Sequence, residues 1–436
     1  MMQGLLGRVV DRLPGGRRGQ DGQAGAIAAL DVGTEFAKAL VVAPERGVDG
    51  TLVGVVRGVG RQRQGLSHMQ SGTVTDIDAV VDNSLRALSE ASAMAALRPR
   101  SVVIGIAGEL VKGTTASLAA RRANPQRPLD EAELQAVVER VQDDALREAE
   151  RRIGWESGIE RLDVRLVHAA IVEMKIDGYP ISNPIGFTGA HLELSIFNAF
   201  APMVHIGALQ SVAAALGLGL LGVIAEPYAV ATCLPPGELG DTGAVFIDVG
   251  GGTTDVALVR HGGIAGTKMV ALGGRAFTRG LAERFGLSFA RAEALKVAAA
   301  DGAELPEPAV GPDALGEALQ ADVGVWLGGV EMMIGDLAEG ELLPGRIFLC
   351  GGGARLPQIS AALAGDGWWR RLPFARKPEV RALGPEDVAG LTDATGQLTT
   401  RQDVTPMALA HQGLILDAQT TAVERAMRGA VRAMEL

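Results

Sequence analysis

Two similar glycine-containing loops, one near the start of the 436-residue chain and one beyond its midpoint, constrain the fold more than any other feature. The first loop is Asp31–Thr34 (DVGT) and the second is Asp248–Asp255 (DVGGGTTD). Glycine lets backbone N–H groups approach a phosphate closely, and an Asp at a strand end can hold a hydrated divalent cation. Two such hairpins facing each other are expected to bind one nucleotide. Apolar runs that predict strands flank both loops: Ala26–Leu30, Ala37–Val42, Ala244–Ile247 and Val256–Val259.

A third glycine-rich element lies near the end of the chain. The apolar run Ile347–Cys350 predicts a buried strand, Gly351, Gly352 and Gly353 follow it, and a helix is expected over Leu356–Leu363. A flat ligand such as adenosine can lie against backbone at such a junction. A single glycine-rich turn is more often a plain hairpin, so the indication comes from the order and spacing of all three elements.

The three elements together resemble the ATPase core shared by actin, the heat-shock chaperones and the bacterial actin homologues. Within that group the chain is similar to the FtsA cell-division family over roughly residues 26–415. The resemblance implies an α/β, actin-like ATPase fold with two ribonuclease-H-like lobes and an inserted small α+β subdomain. Asn183–Gly189 is the most specific of its supporting segments, which also include Gly58–Gly60, Gly65–Leu66, Gly72–Ile77, Ile104–Gly108, Ala292–Lys296 and Gly390–Asp393.

The expected domain organisation follows from these anchors. The first lobe is predicted at 26–100 and 181–240, with the inserted subdomain at 101–180 between its two parts. The second lobe is predicted at 241–413, and its helical upper subdomain at 274–343. Outside the lobes we expect an amphipathic helix at 1–13, a Gly-rich linker at 14–25 and a helical tail at 414–436.

Candidate site residues divide by the part of a nucleotide that they would contact. Asp31 and Asp248 are expected to hold Mg²⁺ through water, because hard cations keep most of their hydration. Backbone and hydroxyl donors to phosphate are expected from Gly33, Thr34, Gly250, Gly251, Gly252 and Thr253. The resemblance adds Lys38 near the phosphates and places Gly273, Gly274, Glu293, Lys296 and the Gly351–Gly353 loop near the adenosine. The alternative for Glu293 and Lys296 is an ordinary surface ion pair.

Glu226 is the candidate for positioning the attacking water. It begins Glu226-Pro227, a pair that the heat-shock chaperones and a pilus-assembly relative also have at this place. The alternative role is a carboxylate that stabilises the N-terminus of the following helix. Because hydrolysis in such sites depends on positioning and charge stabilisation, an acid that is absent or displaced slows turnover without abolishing binding. We therefore expect a weak ATPase that uses ATP and Mg²⁺.

The first thirteen residues have the pattern of an amphipathic helix. Apolar side chains of the segment fall on one face, Arg8 and Arg12 fall on the other, and Pro14 ends the helix. Such a helix on a flexible tether is typical of a membrane anchor, although a helix docked on the protein or a disordered segment has the same pattern. The resembled family usually carries its anchor at the C-terminus, and residues 414–436 have only a weaker apolar stripe.

Composition excludes several classes of function. The net charge of −10 argues against a nucleic-acid surface, and Cys233 and Cys350 have no metal spacing, which favours a reducing cytoplasm. The six His residues show no metal spacing either. No secretory signal is apparent, and the uncharged stretch Ile206–Ala225 is interpreted as a buried helix, a turn and a buried strand.

Three function classes remain. The first is an FtsA-like, filament-forming protein that assembles head to tail with itself and links the tubulin-like division protein FtsZ to lipid on the cytoplasmic face of the inner membrane, as a peripheral protein. The second is a PilM-type actin-like scaffold for type IV pilus assembly. The third, a small-molecule kinase, is the least favoured. Asn183–Gly189 and Gly390–Asp393 favour division, whereas Glu226-Pro227 favours the pilus type.

Overall fold

The computed structural model describes residues 25–46, 52–158, 162–235, 237–240, 242–260 and 262–418. The predicted amphipathic helix at 1–13 lies outside these residues, as do residues 14–24 of the predicted linker and residues 419–436 of the predicted tail. The strands are β1 (Ile27–Val32), β2 (Phe36–Arg46), β3 (Leu52–Arg63), β4 (Met69–Gln70), β5 (Thr73–Val74), β6 (Ser101–Ile106), β7 (Lys112–Arg121), β8 (Val164–Ile176), β9 (Tyr179–Pro180), β10 (His191–Pro202), β11 (Gly219–Ala225), β12 (Ala244–Val249), β13 (Thr254–Arg260), β14 (Gly263–Val270), β15 (Arg346–Cys350), β16 (Glu379–Ala382) and β17 (Leu391–Asp393). The α-helices are α1 (Ile77–Ala95), α2 (Glu131–Ser157), α3 (Met203–Leu216), α4 (Glu226–Ala231), α5 (Gly274–Phe285), α6 (Phe289–Asp301), α7 (Pro312–Ala338), α8 (Pro357–Ala364) and α9 (Val404–Ala418).

The first sheet has six strands in the order β11-β6-β1-β2-β3-β17. Strands β1 and β2 form the predicted antiparallel hairpin around the first loop, and β6 pairs with β1 in parallel. Helices α1 and α3 share one buried cluster with β1 and β6. Helix α1 approaches β3 so closely that a Cβ at Gly58 or Gly60 would lie 1.9 Å from a carbonyl oxygen of the helix. This contact explains the Gly58–Gly60 motif, because only glycine fits there.

The second sheet has nine strands in the order β16-β15-β12-β13-β14-β7-β10-β8-β9. Strands β12 and β13 form the second predicted hairpin, and β15, which precedes the Gly351–Gly353 loop, pairs with β12 in parallel. Helices α5, α6 and α7 pack around the buried Trp326, whose indole Nε1 donates to Thr254 Oγ1 at 2.9 Å. A different buried cluster contains residues of both sheets and of α9, so the two lobes share a core.

The structure places the inserted unit at different boundaries from those expected. Strand β6, expected to begin the insertion at residue 101, lies in the first sheet between β1 and β11. Its apolar run suits a parallel strand that neighbours cover on both sides. Strand β10, expected in the first lobe, pairs with β7 and β8 instead. The insertion therefore runs from β7 to β10, and the first lobe resumes at α3, which packs against α1.

The insertion also extends the sheet of the second lobe, which the sequence did not indicate. Strand β7 pairs with β14 through Gly113 and Thr267 and through Thr114 and Gly266. A Cβ at Gly113 would lie 2.3 Å from Thr267 Oγ1, so the approach of the two strands requires glycine there.

Two further expectations concern the end of the chain and the uncharged stretch. The boundary drawn at residue 414 falls inside α9, where Leu414 is buried, because this helix packs on both sheets. Residues 206–225 form most of α3, a turn and β11, as predicted. In the described part of the chain, no helix is long and apolar enough to span a membrane.

Helix α2 buries an apolar stripe against the insertion strands, and one polar residue interrupts that stripe. Gln142 is fully buried, and neither atom of its side-chain amide has a hydrogen-bond partner among the described residues. A buried amide without partners destabilises the folded state, because water satisfies the same group in the unfolded chain.

Replacing this amide by an apolar group of similar size should stabilise the protein. We expect Gln142→Leu to raise the free energy of unfolding by about 1–3 kcal/mol, measured by urea unfolding. The matched control is Gln135→Leu on the same helix, where the amide donates to Glu139 Oε1 at 3.0 Å. A less stable Gln142→Leu variant would mean that the amide does have a partner, such as bound water.

Candidate functional site

A cleft of about 730 Å³ lies between the two sheets, where the three glycine-rich elements meet. Of the seventeen predicted site residues, the cleft wall includes all but Gly252 and Gly273. Gly252 packs against Thr34 of the first loop, and Gly273 packs against the backbone of Thr253. The predicted residues that line the cleft are Asp31, Gly33, Thr34, Lys38, Glu226, Asp248, Gly250, Gly251, Thr253, Gly274, Glu293, Lys296, Gly351, Gly352 and Gly353.

The two predicted phosphate-binding loops approach each other across the cleft. A Cβ at Gly251 would lie 2.5 Å from Glu35 Cγ, and one at Gly252 would lie 2.7 Å from Thr34 Oγ1. Gly351 has a φ of 89°, and a Cβ there would lie 2.1 Å from Asp248 Oδ1. Glycine at these positions therefore lets the first loop, the second loop and the adenosine-type loop occupy one small volume.

Asp31, Glu226, Asp248 and Asp255 form the acidic floor of the cleft, and one lysine neutralises part of its charge. Lys38 stands opposite Asp31 in the β1–β2 pair, and its ammonium lies 3.1 Å from Asp31 Oδ2. The same ammonium donates to the carbonyl of Gln402 at 2.8 Å. From the other lobe, Asp248 Oδ2 accepts a hydrogen bond of 2.6 Å from Thr405 Oγ1. The segment 402–405, which leads into α9, thus holds one group from each lobe.

The remaining carboxylates of the floor are difficult to ionise. Burial raises the pKa of Glu226 well above its usual value, and the charges of Asp31, Asp255 and Asp248 raise it further. Burial likewise raises the pKa of Asp248, although the Thr405 hydrogen bond and Lys38 oppose the shift. Positive charge brought by a cation would offset this repulsion. Among the described residues, no group of three or more His, Cys, Asp or Glu side chains is arranged to hold a metal ion directly, so Asp31 and Asp248 would hold Mg²⁺ through water.

Glu226 occupies the first position of the short helix α4. Its carboxylate lies against β6, where a Cβ at Gly105 would be 2.5 Å from Glu226 Oε1, and it lines the cleft with Asp31 and Asp248. The place of the side chain is compatible both with positioning a water molecule and with stabilising the start of the helix.

The far end of the cleft contains Glu293 and Lys296 of α6. The Lys296 ammonium donates to Glu293 Oε2 at 2.8 Å, to Thr278 Oγ1 at 2.7 Å and to the Gly274 carbonyl at 2.8 Å. Burial would raise the pKa of Glu293, but the charge of Lys296 and the hydrogen bonds that Glu293 accepts from Lys296 and Thr278 outweigh it and lower the pKa. The Lys296 side chain is buried, the Glu293 side chain is mostly buried, and both are joined to the first turn of α5, so the pair differs from the surface ion pair considered as the alternative.

Sequence reasoning missed several residues of the site. Asp255 faces Asp248 across the β12–β13 pair, and the spacing of the two Asp residues in the second loop is the signal that could have found it. Arg275 and Thr405 reach the loops from distant parts of the chain. No local pattern marks them, because their partners come close only in the folded protein.

Comparisons with known proteins agree with this geometry. The family model described as "Cell division protein FtsA" matches residues 245–365, which include the second phosphate loop and the adenosine-type loop. FtsA of Pseudomonas aeruginosa is 27% identical over 273 residues, which are 62% of this chain and 60% of that protein. FtsA of Streptococcus pneumoniae is 25% identical over 400 residues, covering 86% of this chain and 81% of that protein. The chain thus spans about 60% of the length of the first curated relatives that it matches.

Among solved structures, the PilM–PilN type IV pilus biogenesis complex aligns with a TM-score of 0.64 and 17% identity, over 90% of this chain and 99% of that chain. At this identity the likeness concerns the fold alone. With its two sheets, shared cleft and paired loops, the chain has the actin-like ATPase fold. Within that class its sequence is similar to FtsA, a bacterial actin homologue.

The buried Asp255 gives the site a measurable pH dependence. Burial and the nearby charge of Asp248 raise the pKa of Asp255 from 3.8 to about 8. Between these values the folded state keeps the proton and the unfolded state releases it, so the stability of the free protein falls as pH rises from about 4 to about 8.

An Asn at this position does not titrate and should remove part of that loss. Without nucleotide or divalent cation, we expect Asp255→Asn to be more stable than the original protein at pH 8, by about 1–3 kcal/mol. Thermal unfolding at several pH values measures the difference, with the exposed Asp82→Asn as the control. Parallel pH profiles for the Asp255→Asn variant and the original protein would contradict the assigned pKa.

Proposed function

We propose that this chain is an ATP-binding, membrane-associated actin homologue of bacterial cell division, which polymerises and tethers the tubulin-like division protein FtsZ to the inner face of the cell membrane. The observation that carries the proposal is the convergence of both phosphate loops, Lys38, Asp31, Asp248 and the Gly351–Gly353 loop on one cleft. The match of the FtsA family model across part of this cleft supports the choice of family.

In this proposal each group acts on a different part of the nucleotide. Backbone N–H groups of the two loops donate to phosphate oxygens, Lys38 supplies positive charge, and Asp31 and Asp248 hold Mg²⁺ through water. Mg²⁺, when bound, neutralises phosphate charge. The raised pKa of Glu226 favours its protonated form in the free protein. Glu226 is the residue that would position the attacking water, and we expect slow hydrolysis because such sites depend on positioning and charge stabilisation.

The second candidate is a PilM-type scaffold of type IV pilus assembly. Glu226-Pro227 at the start of α4 is the feature that favours it. Both candidates use the same fold and the same cleft, so only the partners distinguish them.

The nucleotide part of the proposal can be tested at Asp248. Asp248→Ala removes a carboxylate from the predicted metal site, so we expect ATP binding in the presence of Mg²⁺ to weaken by about 10–100-fold in calorimetry. The matched control is Asp366→Ala in the same lobe, where the side chain is 70% exposed and pairs with Lys377. Undiminished affinity in Asp248→Ala would show that the metal position is wrong.

The division role can be tested by electron microscopy on monolayers that contain anionic lipid. With ATP we expect short filaments or a lattice that recruit FtsZ, because tethering concentrates the protein in a plane. Deleting Met1–Leu13 should abolish lipid binding and leave ATP binding intact. Deleting 101–180 is not a usable test of the insertion, since it would remove β6 from the first sheet.

A substitution on the insertion replaces that deletion. Tyr179 in β9 is 75% exposed at the outer end of the insertion. If the insertion contacts the next protomer, Tyr179→Arg should lose filaments and keep lipid and ATP binding. A protein that remains monomeric on lipid, ignores FtsZ and captures a pilus-protein peptide belongs to the second class. Lipid binding that persists without residues 1–13 would place the anchor in the part of the predicted tail that follows α9.

A further inference from the structure

Arg275, the second residue of α5, connects the two phosphate loops directly. Its backbone N–H donates to the Gly251 carbonyl at 2.7 Å, and the preceding Gly274 N–H donates to the Gly250 carbonyl at 2.9 Å. These two bonds fix the start of α5 to the second loop. Any group carried by the Arg275 side chain therefore moves with the second lobe.

The side chain of Arg275 crosses to the first lobe. Its guanidinium donates to the Thr34 carbonyl at 2.7 Å, to the Met69 carbonyl at 3.1 Å and to the Leu66 carbonyl at 3.2 Å, and it pairs with the Glu35 carboxylate. The residue is only 9% exposed. All four acceptors belong to the first loop or to the segment that follows β3, so these hydrogen bonds are contacts between the lobes.

The chemistry of the guanidinium suits this role. Arginine is planar, remains charged and presents five N–H donors in fixed directions, so one side chain can satisfy several carbonyls and a carboxylate at once. Here four donor contacts already go to protein acceptors. The Arg275 side chain therefore binds backbone carbonyls of the first lobe. Because Arg275 is bonded to both Thr34 and Gly251, these contacts lie next to the phosphate-binding loops.

We propose that Arg275 is an interlobe clamp, which keeps the first phosphate loop against the second and sets the rate at which the lobes separate to exchange nucleotide. Separation moves Thr34 and Glu35 away from α5, so these contacts break in the same step. The exchange part of the inference rests on the proposed nucleotide function. The clamp itself is a property of the free protein, because all of its partners are protein atoms.

The direct test measures lobe separation without any nucleotide. Spin labels are placed at Ser89→Cys in α1 and Glu283→Cys in α5, both exposed; the native Cys233 and Cys350 are buried. Double electron–electron resonance spectroscopy should give one narrow distribution of distances between the two labels in the parent protein. Arg275→Lys keeps the charge but lacks the planar set of donors, so we expect a broader distribution at longer distances. Glu35→Gln, which keeps the carbonyl contacts, should give a smaller change.

The control is Arg279→Lys, the same substitution one turn further along α5 at an exposed position. It should leave the distance distribution unchanged. Circular dichroism checks the fold of each variant, and Glu35→Gln provides the test if Arg275→Lys does not fold. An unchanged distance distribution in a folded Arg275→Lys variant overturns the clamp. If Arg275→Lys does not fold, an unchanged distribution in Glu35→Gln overturns it.

Nucleotide exchange is then followed by stopped-flow release of a fluorescent ATP analogue into excess ATP. Arg275→Lys should release it about 10-fold faster than the parent, and Arg279→Lys should match the parent. If the free Arg275→Lys variant opens but the parent binds no nucleotide, the clamp stands and the proposed nucleotide function fails. If nucleotide binds and its release rate is the same in the opened variant, the proposed control of exchange is wrong.

Discussion

Four acidic side chains lie close together at the floor of the cleft, and the charge balance of the whole site depends on this arrangement. Asp31, Glu226, Asp248 and Asp255 approach one another from strand ends and helix starts of both lobes, and Lys38 is the ammonium group beside them. Burial disfavours ionisation of three of the four, and their mutual repulsion adds to it. Ionisation of these carboxyl groups is most favourable when positive charge is bound nearby. A hydrated cation carried by a polyphosphate fits that requirement, because the carboxylates can act through water.

Close approach between the lobes depends on glycine and on a small number of polar contacts. Gly251 and Gly252 leave room for Glu35 and Thr34, which lets the two loops face each other without side chains between them. Polar groups then secure the approach at two places. Thr405 of α9 holds Asp248 at the floor, and Arg275 holds the backbone of the first loop. The two lobes also share an apolar core, whose burial favours their association. The polar contacts then fix how the two loops are oriented relative to each other.

The position of the insertion in the chain differs from its position in the fold. It is inserted between β6 and α3 of the first lobe, yet its strand β7 pairs with β14 and extends the sheet of the second lobe. Strand β10 has an apolar alternation that would suit either sheet, and nothing local assigns it to the insertion. Of its partners, β8 is the preceding long strand, but β7 is distant in sequence, and it is β7 that joins the second lobe. The boundaries at 101 and 181 therefore could not be corrected without the pairing itself.

Local chemistry along the chain specifies several parts of this protein: the two hairpins at Asp31 and Asp248, the strand before Gly351, and the helix, turn and strand from Ile206 to Ala225. Each follows from the periodicity and turn residues of a short segment, where backbone conformation is decided. The assembled fold assigns β6 and β10 to their sheets, covers most of the Glu293 and Lys296 side chains, and brings Arg275 and Thr405 to the loops. These depend on contacts between segments far apart in the chain, whose free energy arises from burial and from hydrogen bonds that form only after the lobes have assembled.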